Sequence, residues 1–326
     1  MKVKENLWET IRYGKPDALI NEWEAFSFIS DPVTAYMSVA ERGKTKVNPW
    51  GVTVYWGEDE PGSMPLINDK TKVCKDICRW REYVKVPDIR KVPMDWSRAV
   101  EDTRRIRGEG RLSIAMMASG LFEQTHALMG FEDVFIAMLE EPEAMHELID
   151  YLTDWELEYA DKVCRYLKPD ALFHHDDWGT QTSTFISPAM FEEFFLPAYK
   201  KIYKRYRDNG VELIVHHSDS YAATLVPYMI EMGVDIWQGV MTTNNVPELI
   251  KKYGGQISFM GGIDSAKVDY PGWTRDVIKK EVRRACDENG KLYFIPCASQ
   301  GLDISTFPGV YETLSEEIDA YSKEVF

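Results

Sequence analysis

The chain has 326 residues, with 53 acidic against 38 basic side chains and a net charge of −15. So much acid argues against a nucleic-acid or anionic-membrane face, which needs a local surplus of Lys and Arg. With 44% hydrophobic and 13% aromatic residues, the chain can bury a large core and is not disordered.

The first 17 residues lack the apolar run of a signal peptide, and no window approaches the roughly 20 apolar residues of a membrane span, so a cytoplasmic protein is expected. The five cysteines, Cys74, Cys78, Cys164, Cys286 and Cys297, are odd in number and scattered. They make no disulfide framework, and the pair Cys74 and Cys78 in a charged helical segment reads as structural thiols. A length of this kind fits a single α/β barrel, so residues 1–326 are expected to form one domain.

In chain order, residues 18–24 read as an opening strand. Residues 27–110 carry Pro32, Pro49, Pro61, Pro65, Pro87 and Pro93 with four tryptophans and no strand-helix rhythm, which suggests an irregular insertion covering one mouth of the barrel. Beyond residue 110 the pattern becomes regular. Strands are expected at 113–119, 171–177, 213–219, 235–240, 257–264 and 292–298. Helical stretches fall at 187–209, 221–232, 246–253, 274–289 and 307–326. Alternation of this sort implies a parallel sheet with right-handed crossovers, close to the eight units of a closed TIM-type (β/α)8 barrel. Ser187-Pro188 supplies a helix N-cap and a proline at the first helical position. Gly210 and Gly233 fall just past helices, where a left-handed residue is commonly needed. The turn Gly261-Gly262-Ile263-Asp264 lacks the remaining spacing of a nucleotide fingerprint.

In such barrels chemistry sits where the strands end. Two strands close alike, as His174-His175-Asp176-Asp177 and as His216-His217-Ser218-Asp219. Side chains alternate along a strand, so His175 and Asp177 share one face and His217 and Asp219 share another. If those faces look inward, His174 and His216 point to the helices as hydrogen-bonded structural residues. A carboxylate beside a histidine fixes a tautomer for acid–base work or metal ligation. Cys297 closes the last strand, on the rim expected for Glu22 and Glu24. Histidine, carboxylate and cysteine on one rim make a ligand set that suits zinc, with one position left open.

These residues resemble the uroporphyrinogen decarboxylase superfamily. The likeness rests on Asp176-Asp177-Trp178-Gly179-Thr180-Gln181 followed by Ile186-Ser187-Pro188-Ala189-Met190-Phe191, on His217-Ser218-Asp219-Ser220, on Gly261-Gly262-Ile263-Asp264 and on Gln300-Gly301-Leu302. It covers most of the chain and is strongest from residue 113 onward. The resemblance implies an α/β barrel that is either a decarboxylase or a corrinoid-dependent methyltransferase. True decarboxylases carry R-Q-A-G-R after the first strand to clamp substrate carboxylates, whereas this chain has Asn21-Glu22-Trp23-Glu24-Ala25-Phe26. Carboxylates in place of cations would repel such a substrate by roughly 1–4 kcal/mol per close pair. Gln300 also stands where the decarboxylase motif G-H-G has its histidine.

The methyltransferase branch fits better. Its zinc members use H-x-C on one strand and a cysteine at the end of a later one. His217 and Cys297 match that pattern, while Asp219 replaces the middle cysteine and would leave the metal harder. The resemblance therefore implies a metal site of His217, Asp219 and Cys297 with Glu22, and catalytic roles for Asp177, His175 and Asp219. Trp50, Trp178, Tyr221 and Gln300 are candidate substrate contacts, with Trp56 a further possible wall for an aromatic ligand. The expected reaction moves a methyl group from a small methylated or methoxylated donor to a corrinoid carried by a partner protein. The alternative is a metal-free decarboxylase or lyase acting on a less acidic, non-porphyrin substrate.

Overall fold

The computed structural model describes residues 1–58, 60, 62–299 and 306–326. Along the chain run β1 (Phe26–Phe28), β2 (Thr45–Val47), β3 (Thr53–Tyr55), β4 (Met64–Pro65), β5 (Leu112–Met117), β6 (Ala171–His175), β7 (Leu213–His217), β8 (Ile236–Val240), β9 (Ser258–Ile263) and β10 (Phe294–Ala298). β2, β3 and β4 form a small antiparallel sheet, and the other seven make one sheet in the order β1-β5-β6-β7-β8-β9-β10. Every pairing in that larger sheet is parallel. The α/β barrel architecture expected from the strand-helix rhythm is therefore the one observed, with seven rather than eight strands in the ladder among the described residues.

The missing strand has a local cause. Residues 18–24 do not form a strand: Glu22 adopts a positive φ of 48°. The Asn21 N–H bonds the Glu24 carboxylate at 2.8 Å, and the Glu24 N–H bonds the Asn21 carbonyl at 3.0 Å. This turn delays the opening strand to Phe26. The segment still lies along the seam, because the Glu22 N–H donates to the Pro296 carbonyl at 3.2 Å.

Alternation sorts the strand residues into two apolar layers. Phe26, Ile114, Phe173, Val215, Ile236, Met260 and Ile295 fill the interior. Leu172, Ile214, Trp237, Phe259 and Phe294 belong to the layer shared with the helices. At about 1.5–3 kcal/mol for each large side chain buried, the two layers fix the strand register, since a slip of one residue would exchange them. The helix Pro142–Leu167 buries Leu148, Leu152, Trp155 and Tyr159 along one face. Ser187 caps Pro188–Met190 by accepting from the Met190 N–H at 3.2 Å, and Gly210 and Gly233 take the positive φ expected past their helices.

The region 27–110 is less uniform than an insertion. It holds most of β1, the small sheet, and the helix Ser97–Gly108, which leads into β5 as an ordinary crossover. Only the part between β1 and that helix departs from the strand-helix pattern. No described helix is long and apolar enough to cross a membrane.

Candidate functional site

β6 and β7 run in register, pairing His174 with His216 and His175 with His217. His174 and His216 are fully buried toward the helices, as alternation predicts. His174 meets Glu156 at 2.9 Å, and His216 meets the Tyr203 hydroxyl at 2.7 Å. His175 and His217 turn the other way, to the barrel mouth, where their rings stack with centroids 4.4 Å apart.

Asp177 completes this cluster. Its Oδ1 lies 3.8 Å from His217 Nε2 and accepts the Asp219 N–H at 3.0 Å. His175, Asp177 and His217 each present a ligand atom, all within 4.8 Å of one another. Among the described residues, Asp219, Cys297 and Glu22 do not join this group. Of the residues expected to form one ligand set, His217, Asp219, Cys297 and Glu22, His217 alone belongs to this group among the described residues, and the side chains beside it are His175 and Asp177. The physical reason is the strand alternation itself. His175 ends β6 and Asp177 follows two residues on, on the same face, and in-register pairing lays that face beside His217, whereas Cys297 reaches the interior from three strands away across the sheet.

Two side chains that sequence reasoning missed orient the pair. Glu123, in the first turn of the helix Leu121–Met129, reaches His175 Nδ1 at 3.0 Å. Gln238 on β8 contacts His217 Nδ1 through its amide oxygen. Both arrive from elements separated in sequence from the histidines, so only an acidic residue just past β5 and a polar residue inside a strand run hinted at them. Two glycines permit the approach. A Cβ at Gly120 would fall 2.5 Å from the Asp176 Cβ, and one at Gly239, where φ is +87°, would crowd the His217 ring at 3.1 Å.

Asp176 is buried on the helix side and caps the helix that carries Glu123. Its carboxylate accepts the Phe122 N–H at 2.9 Å, the Glu123 N–H at 2.8 Å and the Tyr199 hydroxyl. Burial and the Glu123 charge push its pKa upward, opposed by those donors.

The two mouth histidines are electrostatically unequal. Burial lowers the pKa of His175, but the Glu123 hydrogen bond and charge outweigh it, with Asp177 and Asp176 adding to them, and raise it to about 9. Burial lowers that of His217, and the neighbouring charge on His175 lowers it further. Stacked at this distance, a positive charge on one ring opposes a second on the other.

Cys297 is fully buried, and its thiol is pushed well above its ordinary pKa by burial, then by Glu22, with a Gln238 hydrogen bond acting the other way. Burial raises Glu22 to about 8, moderated by the Tyr311 hydroxyl. Gln238 thus links His217 to the Cys297 neighbourhood. Trp178 cannot wall a mouth pocket, since it is completely buried on the helix side with its ring stacked 4.0 Å from His216. Tyr221 donates its backbone N–H to the Thr180 carbonyl at 2.7 Å, tying the loops after β6 and β7 together. Trp50 lines a cavity beside β5, whereas Trp56 lies in the small sheet region with Arg42 over its ring. Gln300 and the Gln300-Gly301-Leu302 motif lie outside the described residues.

Known proteins are similar to this chain in sequence and in fold. Over 265 residues the chain is 25% identical to the methylated-thiol–coenzyme M methyltransferase of Methanosarcina mazei, a match spanning 81% of this chain and 65% of that protein. Over 153 residues it is 28% identical to the uroporphyrinogen decarboxylase of Geotalea daltonii, covering 47% of this chain and 42% of the relative. The chain thus spans less than two thirds of either curated relative. A solved structure described as a methyltransferase from Methanosarcina mazei superimposes with a TM-score of 0.70 at 14% identity, covering 98% of this chain and 99% of its own, which establishes the fold. Residues 47–321, most of the chain, match the family described as uroporphyrinogen decarboxylase (URO-D), and the chain belongs to that family.

Proposed function

We propose that this chain is a cytoplasmic methyltransferase that moves a methyl group from a small methylated or methoxylated compound to a corrinoid carried by a separate protein. The observation that carries the reading is the cluster of His175, Asp177 and His217 at the barrel mouth. The methyltransferase relative of Methanosarcina mazei supports the choice of branch. The acidic surroundings support it too: among the described residues, neither Glu123 nor Asp177 forms an ion pair with Lys or Arg, so a polycarboxylate substrate would meet repulsion.

The cluster fits a divalent metal such as zinc. Two imidazoles and a carboxylate are an accepted donor set, and each imidazole is oriented by a further polar partner, Glu123 for His175 and Gln238 for His217. His217 is held neutral and ready to ligate, while His175 would release its proton on metal binding. When bound, such a metal would supply Lewis acidity toward the atom that loses the methyl group. The side chains themselves bind and orient the donor, and Glu123 would fix the His175 ring through its Nδ1.

A second reading, a metal-free decarboxylase or lyase acting on a non-porphyrin substrate, is favoured by one observation. At the mouth, Glu123 lies 3.0 Å from His175 Nδ1 and favours the protonated ring, which could protonate a carbanion without a metal.

Three measurements decide between these readings. Protein purified without chelator is expected to hold about one equivalent of zinc, and His217→Ala to lose it. Mixing the full chain with a cobalt(I) corrinoid and a panel of O-, N- and S-methyl donors is expected to give the methylcobalt spectrum. No metal, no spectral change with any donor, and carbon dioxide release from a carboxylated substrate would replace methyl transfer by the second reading.

A further inference from the structure

Beside the ionic cluster lies a chamber of opposite character. A cavity of about 280 Å³ sits between the carboxyl end of β5 and the segment that follows β1. Its walls include Trp50, Trp155, Met37, Met116 and Met117, and among the described residues no Asp, Glu, Lys, Arg or His lines it. The walls are fastened from behind. Trp155 donates its indole N–H to the Pro87 carbonyl at 2.8 Å. Tyr159, also in the lining, donates to Asp31 at 2.9 Å and can reach the Met116 carbonyl at 2.8 Å. Trp50 and Trp155 pack edge to face with centroids 4.9 Å apart.

One polar group in this lining stands out. Gln124 is 9% exposed, and its side-chain NH₂ is buried with no hydrogen-bond partner among the described residues. A buried donor left unpaired costs about 1–3 kcal/mol, a cost that a ligand acceptor would remove. The chamber also adjoins the cluster. Gln124 follows Glu123, whose carboxylate holds His175, and Met116 packs against the barrel interior as well as lining the cavity.

We propose that this chamber binds the body of the methyl donor, and that the donor is an uncharged, single-ring aromatic compound whose hydrogen-bond acceptor takes the Gln124 side-chain NH₂. This rests on the methyl-transfer reading only in calling the ligand the donor. The chemistry follows from the walls. Burying a carboxylate or ammonium where no counter-charge waits costs far more than burying a neutral group. Tryptophan edges and methionine sulfurs favour an aromatic face. The volume falls at the small end of ligand pockets, enough for one substituted ring and too little for a four-ring macrocycle.

The test uses two probes of one shape and different charge, 4-methoxybenzamide and 4-methoxybenzoate, titrated calorimetrically into the full chain without corrinoid. The amide is expected to bind about tenfold or more tightly than the anion. Gln124→Leu is expected to weaken the amide about fivefold, the worth of one neutral hydrogen bond. Ser38→Trp, at an exposed position of the rim, is expected to abolish binding while circular dichroism and melting remain those of the parent. Equal affinity for the two probes, no binding of either, or affinity unchanged in both variants would overturn the proposal. The two readings fail separately. Gln124-dependent binding without any methylcobalt formation keeps the chamber and removes methyl transfer. Methylcobalt formation with a donor KM indifferent to Gln124→Leu and Ser38→Trp keeps methyl transfer and removes the chamber.

Discussion

The same dipeptide, His-His, ends two adjacent strands, and its two members meet opposite fates. His174 and His216 point outward into the helical layer, where each is fully buried and each has one close polar partner, Glu156 or Tyr203. His175 and His217 point to the mouth, keep partial access to solvent, and share their surroundings with Glu123, Asp177 and Gln238. Identity of residue type therefore says little about role. What decides is the parity of the position along the strand, which sends one imidazole to a dry layer that needs only satisfaction and the other to a wet rim where charge can move.

The sharpest way to break this comparison is to delete one imidazole from each side. His217→Ala removes a group at the centre of the cluster while leaving the helical layer intact, and it is expected to lower kcat/KM about a thousandfold or more with a melting temperature close to the parent. His174→Ala does the reverse. It strands the buried Glu156 carboxylate and leaves a cavity, so a loss of about 3–5 kcal/mol in denaturant unfolding is expected, with near-normal turnover in the fraction that stays folded. If His174→Ala silenced turnover without destabilising the chain, the division into structural and chemical faces would be wrong.

How much of this was legible in the sequence follows from the same parity. The repeated strand endings and their alternation placed His175, His217 and Asp177 at one mouth, since both patterns are local. The expected opening strand at 18–24 failed because an apolar run concealed a turn at Asn21–Glu24, which only the positive φ of Glu22 and its seam contact with Pro296 reveal. Cys297 was correctly placed in a late strand, yet strand order says nothing of how far across the interior a thiol must reach. Glu123 and Gln238 were not legible, because their partnership with the histidines exists only after three separate elements pack together. Trp178 was misread for a simple reason: a residue following Asp177 falls on the opposite face.

The interior beneath the mouth supplies the next test. Glu22 has a folded pKa raised by burial to about 8, so its contribution is fully present below the unfolded value near 4.5 and is lost as pH rises through 8. Stability is expected to fall between these limits by up to about 5 kcal/mol from this group. Glu22→Gln, neutral throughout, should flatten that limb in melts collected from pH 5 to 9. An unchanged pH profile would mean that Glu22 reaches solvent or a cation in the folded chain.

Glu123 sharpens the difference between the two mouth histidines. Its carboxylate is the leading reason that the His175 pKa lies above rather than below the ordinary value, since burial acts in the other direction. Glu123→Gln keeps the shape and removes the charge, so His175 is expected to titrate about one unit or more lower, read from imidazole NMR shifts. A pKa that stayed near 9 would assign the shift to Asp177 and Asp176 instead.

The smallest expected effect lies on the dry side and checks that it is dry. Tyr203→Phe deletes the hydroxyl that meets His216 Nδ1 at 2.7 Å and leaves the ring in place. Burial depresses the His216 pKa well below the ordinary value, assisted by His174 and His217, so the lost interaction is a neutral hydrogen bond. It should cost about 1 kcal/mol, with the imidazole nitrogen left unsatisfied rather than recharged. Above pH 7 that cost should not vary with pH, because a neutral imidazole has no proton to lose there. If the penalty instead changed steeply across neutral pH, His216 would be titrating, and water would have to reach the layer between the sheet and the helix Leu196–Asp208.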